Sequence, residues 1–333
     1  MKRLGLAVGL TLLLVAGGLS AYWLWAAERL KVAVSEGAEE LHAQGYQVAY
    51  RGPQVGGFPV ALDARLEGAE IVAPDGLFWR AAPLDGHLLL LNPTKLQVTF
   101  SGSHQIGRAA QVLHAHFQKA VADVLWHGDG RPERLDLDLA DIAVRAEEGP
   151  EMTATGLRAQ LGPVRPATSE QLQAVELWAE LSELSLPDGA ALPLGPLVTR
   201  LAAELTLHGP VIGQDLAQVL VFWQAAGGYL QVRGFELVWG PLSLSLDGRL
   251  VLDEAFRLEG QLAVRAAGLP QTLEVLETQG QIGAEHLENA RRALEIYAKI
   301  PGQSADEISF PLNIRQGVVL LGPLPLLRLA PVL

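Results

Sequence analysis

The chain has 333 residues, of which 49% are hydrophobic and 19% charged; it is too apolar for a disordered protein, and its 35 glycines follow no Gly-X-Y period, which excludes collagen. Cysteine is absent, so no disulfide framework, thiolate metal site, iron–sulfur cluster or cysteine nucleophile can exist. With 37 acidic against 25 basic residues the formal charge is −12, a surface that repels a polyanion, and no nucleic-acid partner is expected.

Lys2 and Arg3 precede an uncharged apolar run from Leu4 to Ala27. As a helix at about 1.5 Å per residue it would span about 36 Å, enough to cross a bilayer core with some tilt. Tyr22, Trp23 and Trp25 gather at its far end, where amphipathic rings favour the headgroup layer. Residues 1–27 therefore read as an uncleaved single-pass anchor in the inner membrane, with a cytoplasmic N-terminus and everything after Glu28 in the periplasm. The rival is a cleaved signal peptide with a small-x-small site at Gly18-Leu19-Ser20, although bulky aromatics would follow that cut and the run exceeds a usual signal core. The body is exported on either reading.

Residues 28–45 continue as a helical stalk. Leu30, Val34, Ala38 and Leu41 recur at helical steps, and Gly45 suits the C-terminal cap. From residue 46 to 333 the dominant period is two. Tyr46, Val48 and Tyr50 alternate with polar neighbours, as do Val60 to Leu66, Leu96 to Phe100 and Leu135 to Leu139. Turns are expected at Pro74-Asp75-Gly76, Asn92-Pro93, Gly128-Asp129-Gly130 and Pro187-Asp188-Gly189. Further strands are expected at Leu201 to Leu207, Tyr229 to Trp239, Leu242 to Leu252, Phe256 to Val264 and along the tail from Ile308.

Helices are expected over Asp215 to Ala226, Leu269 to Gln279 and Ala284 to Lys299. The last carries the stripe Leu287, Leu294 and Tyr297 beside Arg291 and Arg292 and ends at Pro301-Gly302. No Ser/Gly linker or charge block divides residues 46–333, which read as one β-rich periplasmic domain. The fold class is α+β and β-dominated: a large, curved, mostly antiparallel sheet with a few packed helices, preceded by one N-terminal transmembrane helix. A parallel βαβ architecture would need a helix between nearly every pair of strands.

Catalytic patterns are missing. The chain has no His-Glu-x-x-His, no Gly-x-Ser-x-Gly, no Ser-x-x-Lys and no phosphate-binding Gly-x-x-x-x-Gly-Lys loop. His114 and His116, with His104, His127 and Asp123 nearby, form the densest group of candidate metal ligands. On a strand the pair would share a face; on a helix, which Gln105 to Leu125 could equally be, it would diverge by about 200°. No third ligand is set by spacing, so no metal is expected. Asp136, Asp138 and Asp141 read as solvated charges on a polar face. No enzymatic activity and no cofactor are expected.

Two local motifs are sharper. Gly57, Phe58 and Pro59, preceded by Gly56, open a strand: the glycines turn the backbone, Phe58 plugs the sheet end and Pro59 keeps Phe58 extended. Trp239, Gly240 and Pro241 make a tight strand-to-strand corner before Leu242. Together with Trp23, Trp25 and the closing segment Gln316 to Leu326, these residues resemble an uncharacterised family of exported envelope proteins of Gram-negative bacteria, domain of unknown function 2125. The resemblance spans nearly the whole chain. It implies an inner-membrane or periplasmic protein and brings no catalytic residue.

A membrane-tethered sheet with one apolar face is also similar, more loosely, to the AsmA-like and bridge-type lipid carriers. The leading functional expectation is a protein that binds or passes lipid along that face, with Leu62, Leu66, Leu137, Leu244 and Leu246 as candidate lipid-facing positions. An antiparallel sheet packed on helices gives the same alternation with no groove. The alternative is a structural or assembly factor that binds another envelope protein through a sheet edge or the apolar tail Leu324 to Leu333. An unrecognised hydrolase is the remote alternative.

Overall fold

The computed structural model describes residues 2–109, 111–128, 132–147, 149–165, 173–187, 192–213, 216–280, 287–288, 291–292, 294, 307–321 and 324–332, without side chains for 2–15, 132, 164, 216, 324 and 326. Lys2–Ala43 forms one uninterrupted helix, α1, so the two segments expected as anchor and stalk are parts of a single rod. It ends where expected: Gly45 adopts φ 89°, and the Tyr46 N–H closes the last turn onto the Leu41 carbonyl. The stripe Leu30, Val34, Ala38 and Leu41 is the half-buried face of α1, whereas Glu36, Glu39 and Glu40 are exposed. Ala26, Ala27 and Leu30 pack with Leu62 and Leu90, so this part of the helix lies on the sheet instead of standing clear of it.

The chain divides into two compact units, residues 1–149 and 150–333. The break falls at Gly149-Pro150, in a stretch that carries no linker composition. In the first unit β1 (Gln47–Gly56), β2 (Ala61–Val72), β3 (Leu77–Arg80), β4 (Leu84–Leu89), β5 (Asn92–Thr99), β6 (Gly102–Arg108), β7 (Gln111–Trp126) and β8 (Pro132–Ala146) follow α1. Every pairing is antiparallel. β2 pairs with β1 on one side, and on the other with β4 over its first half and β3 over its second. β5 and β6 then share β7 in the same manner, and β8 closes the set. The second unit is a meander of β9 (Glu151–Arg165), β10 (Ala174–Ser185), β11 (Leu197–His208), β12 (Tyr229–Trp239), β13 (Leu242–Leu252), β14 (Leu258–Ala267), β15 (Glu307–Arg315), β16 (Val318–Leu321) and β17 (Leu324–Arg328). Helix α2 (Leu216–Ala225) joins β11 to β12, and α3 (Leu269–Thr278) follows β14. The fold is thus β-dominated α+β, built on antiparallel sheet.

The alternation produces one apolar and one polar face in each unit. Pairing aligns Leu62, Leu88, Leu96, Val124 and Leu135 across β2, β4, β5, β7 and β8. In the second unit it aligns Leu161, Leu177, Leu205 and Val232, continuing through Leu262 to Leu312. Val232, Leu262, Ile314 and Val319 form the buried centre there, with Leu246, Leu250 and Leu312 around them. On the polar face of the first unit, cross-strand ion pairs such as Arg65 with Asp85 and Arg80 with Glu70 replace the apolar rows.

Several expectations are corrected. The turn placed at Asn92-Pro93 falls at Leu90-Leu91, because Leu89 pairs directly with Asn92. The strand expected from Phe256 starts at Leu258. Asp253 accepts hydrogen bonds from the Ala255 and Arg257 N–H groups, and this side-chain-stapled turn occupies residues 253–257. Residues 57–60 form a turn closed by the Ala61 N–H on the Gly57 carbonyl, with a cis Phe58-Pro59 bond, so Phe58 does not continue a strand. Residues 105–108 and 111–125 are strand, in β6 and β7. Of the helix expected over Ala284 to Lys299, residues 287–288, 291–292 and 294 are helical. Tyr297 and Pro301-Gly302 lie outside the described residues, as do Asp129-Gly130, Asp188-Gly189 and Asp215.

Candidate functional site

The apolar face of the first unit is covered unevenly. At one end α1 seals it: Leu62 is 4% exposed beneath Ala26 and Ala27, with Trp23, Leu30, Val55 and Leu88 around them. The Trp23 indole fixes this contact. Its Nε1 donates to the Ala61 carbonyl at 2.7 Å, and its ring meets Phe58 edge-on at 5.6 Å. At the other end, where β3, β6, β7 and the close of β8 meet, the face stays open. A cavity of about 750 Å³ lies there, lined by Leu77, Ile106, Val112, Leu113 and Ala146, with Arg108, Gln111 and Glu147 among its other lining residues. Ile106, Leu113 and Ala146 are register partners, one row of the same alternation. Such a volume with mostly apolar walls and few polar groups suits the apolar part of a small ligand. Arg108 forms an ion pair with Asp75, and both side chains are exposed.

Between the sealed and open ends lies an aromatic cluster around His104. Its imidazole stacks on Trp79, meets Phe100 and Phe117, and is 1% exposed. Nε2 shares a hydrogen bond with the Phe100 carbonyl at 2.7 Å, while Nδ1 is buried without a partner. Burial pushes the His104 pKa down, only partly offset by that carbonyl, so the ring is held neutral. His104 and Ile106 share the apolar face by the two-residue period.

His114 and His116 do share a face, but it is the opposite one. His116 pairs with Ser103 in register and contacts its hydroxyl, and His114 lies opposite Gln105. Strand alternation thus turns His104 away from both, and among the described residues no group of His, Asp or Glu could hold a metal ion. Several carboxylates of the polar face are engaged by cations. Asp136 pairs with Arg134, Asp138 with Lys119, and Asp123 with Lys95 and Gln97. Burial pushes the Asp123 carboxyl up, but the hydrogen bonds and nearby positive charges outweigh it and hold the group below the usual carboxylate range. Asp123 and Asp136 face each other across β7 and β8, a contact that the spacing of Asp136 and Asp138 did not reveal.

The candidate lipid-facing leucines fall in three settings. Leu62 is sealed under α1. Leu66 and Leu137 are half-buried on the same face of the first unit, near opposite edges of its sheet. Leu244 and Leu246 share the apolar face of the second unit, where Leu246 borders the buried centre. None of the five lines the cavity. Its lining in β6 and β7 falls where sequence reading left helix and strand undecided. The two motifs are corners. A side chain on Gly57 would meet the Ala61 carbonyl at 2.8 Å, and one on Gly240, at φ 55°, the Leu194 carbonyl at 2.7 Å. Trp239 Nε1 donates to the Gly195 carbonyl at 2.8 Å, tying the Gly240-Pro241 corner to the segment before β11.

No curated protein and no solved structure matches this chain. A family model described as an uncharacterized protein conserved in bacteria matches residues 23–330, from the clamping tryptophan to just past the last strand, and the chain belongs to that family, DUF2125.

Proposed function

We propose that this protein is a non-enzymatic lipid-binding component of the bacterial envelope. It is anchored in the inner membrane by residues 1–27, carries its β-rich body in the periplasm, and holds lipid along the apolar face of a curved sheet. The observation that carries the reading is the open end of that face in the first unit: the 750 Å³ cavity walled by Ile106, Leu113 and their neighbours. Leu113, 45% exposed, lies in the same apolar row as the cavity walls and forgoes burial that would stabilise it by about 1–2 kcal/mol. An acyl chain in the cavity would supply that burial, and Arg108 at the rim could meet a phosphate oxygen once its partner Asp75 is displaced. The anchor rests on the sequence: among the described residues no helix is long and apolar enough to cross a membrane, and the side chains of 2–15 lie outside that set.

A second reading is favoured by one patch. Val211 and Ile212, beside α2, and Val221 and Phe222 on it are all exposed, which fits a protein partner better than an acyl chain. One experiment separates the two. A photo-crosslinking residue is placed at Leu113 or at Phe222 in cells, and the adducts are identified by mass. Lipid on position 113 supports lipid handling. Polypeptide on position 222 with nothing on 113 supports an assembly role, and lipid on neither position rejects the leading reading.

A further inference from the structure

The β1–β2 and β4–β5 hairpin tips of the first unit are built against the usual grammar of turns. Residues 55–62 and 88–91 contain no charged side chain, and the two-residue turn of the second hairpin is Leu90-Leu91, where Gly, Asn or Asp would be expected. Leu90 is drawn into the core beneath α1, so Leu91 is thrown outward and is 92% exposed. Phe58, Val60 and Leu89 on the same tips are exposed as well, and so are Tyr22 and Trp25 on α1. The two tips and this stretch of α1 are joined by contacts. The Leu90 N–H donates to the Val60 carbonyl, Trp23 touches Phe58 and the Ala61 carbonyl, and Tyr22 stacks on Trp25.

We infer that this apolar rim, formed by Tyr22, Trp25, Phe58, Val60, Leu89 and Leu91, is seated in the interface of the bilayer that α1 enters, so the first unit docks directly on the membrane surface. The inference rests on the anchor reading given above. The occupant follows from the position of the clamp along the helix. From Leu4 to Trp23 is about 28 Å of helix, close to the thickness of a hydrocarbon core. A bilayer crossed by that segment ends at Trp23, the residue bound to both sides of the Phe58 turn. The tips therefore cannot be held away from the membrane without breaking the clamp. Aromatic rings beside leucine and valine are also the composition that interfaces favour.

The chain has no cysteine, so one introduced thiol is unique. Single variants Leu91→Cys, Asp75→Cys at the opposite end of β2 and Leu12→Cys in the apolar run are labelled with an environment-sensitive fluorophore. Each full-length protein is reconstituted in vesicles of phosphatidylethanolamine and phosphatidylglycerol, with and without nitroxide-labelled lipid. The expected result is blue-shifted emission quenched by the nitroxide at positions 91 and 12, and aqueous emission at position 75. Membrane emission at 12 with aqueous emission at 91 overturns the docked rim while leaving the anchor standing. Aqueous emission at both 12 and 91 overturns the anchor and the rim together. A parallel arm labels Leu91→Cys in a Val60→Glu background; a charge on the neighbouring tip should return the emission toward the aqueous value, and unchanged emission overturns insertion of the rim.

Discussion

Trp23 is where the helix and the sheet of the first unit are joined, and its substitution has a calculable cost. Replacing a fully buried tryptophan by alanine costs about 3–5 kcal/mol. Trp23 is only half-buried, which brings the expectation for Trp23→Ala to about 2–3 kcal/mol. About 1 kcal/mol of this is the hydrogen bond to the Ala61 carbonyl and about 0.5–1.5 kcal/mol the edge-on contact with Phe58. Trp23→Phe keeps a ring against Phe58 but loses the donor, so it should cost only about 1 kcal/mol. For a unit of this size each kcal/mol moves Tm by about 2–4 °C, so the variants separate in a thermal melt of the detergent-purified chain followed by near-ultraviolet circular dichroism. In a double-mutant cycle, Phe58→Ala should show about 0.5–1.5 kcal/mol of coupling to Trp23→Ala. If both Trp23 variants melt with the parent, or if the cycle shows no coupling, α1 is not part of the core of the first unit and the clamp is refuted.

Three further outcomes can be checked directly. His104 is neutral in the fold because its pKa lies below the ordinary 6.5, whereas the unfolded chain takes up a proton near that value; stability is therefore full above it and falls as pH drops through 6.5 toward the folded value. Tm should hold from about pH 8 to about pH 7 and decline toward about pH 5, and His104→Phe should flatten part of that slope; an identical slope in the variant would show that other groups carry it. At the Trp239 corner, Gly240→Ala forces a Cβ against the Leu194 carbonyl, whereas Gly76→Ala, at φ 82°, meets nothing within 4 Å. The first should cost at least twice the second, which carries only the left-handed penalty of about 1 kcal/mol; urea unfolding with equal losses would count against a packed corner. Leu62→Ala should cost about 2–4 kcal/mol in urea unfolding and leave lipid crosslinking at position 113 unchanged, since Leu62 is sealed by α1 and remote from the cavity.

Fold class was legible because strand alternation is a strong local signal. β12 and β13 run Tyr229–Trp239 and Leu242–Leu252, the bounds read from periodicity and the Gly240-Pro241 break. Legibility failed where a tertiary contact overrides the local signal. Asn92-Pro93 is the better turn sequence, yet the turn is Leu90-Leu91, because Leu90 is drawn into the pocket under Ala26 and Ala27 and register then pairs Leu89 with Asn92. The cavity was invisible for a related reason. Ile106 and Leu113 are distant in sequence from Leu77 and Ala146, and β6 and β7 contain Gln, His and Ala in a pattern that fits helix and strand alike. Leu62 stands out in the sequence as an apolar position, but apolar alternation cannot tell the covered end of a face from the open one.

The first unit assigns two duties to one helix. In a detached stalk the apolar run and the amphipathic stripe would be separable modules joined at Glu28. Here Ala26 and Ala27, the last residues of the apolar run, are also the residues that bury Leu62 and Leu90. Small side chains at these positions let the helix backbone approach the sheet closely, while Trp23 one turn earlier supplies the directional bond. The last turn of the hydrophobic run is therefore used as protein core, and on the proposed anchor reading only the part before it serves the membrane. A cut within Gly18-Leu19-Ser20 would leave that turn attached to the sheet, and a break at Glu28 would remove it and expose Leu62. The boundary of the folded body thus falls before Trp23, and the proposed tether cannot be varied independently of the seal of the apolar face.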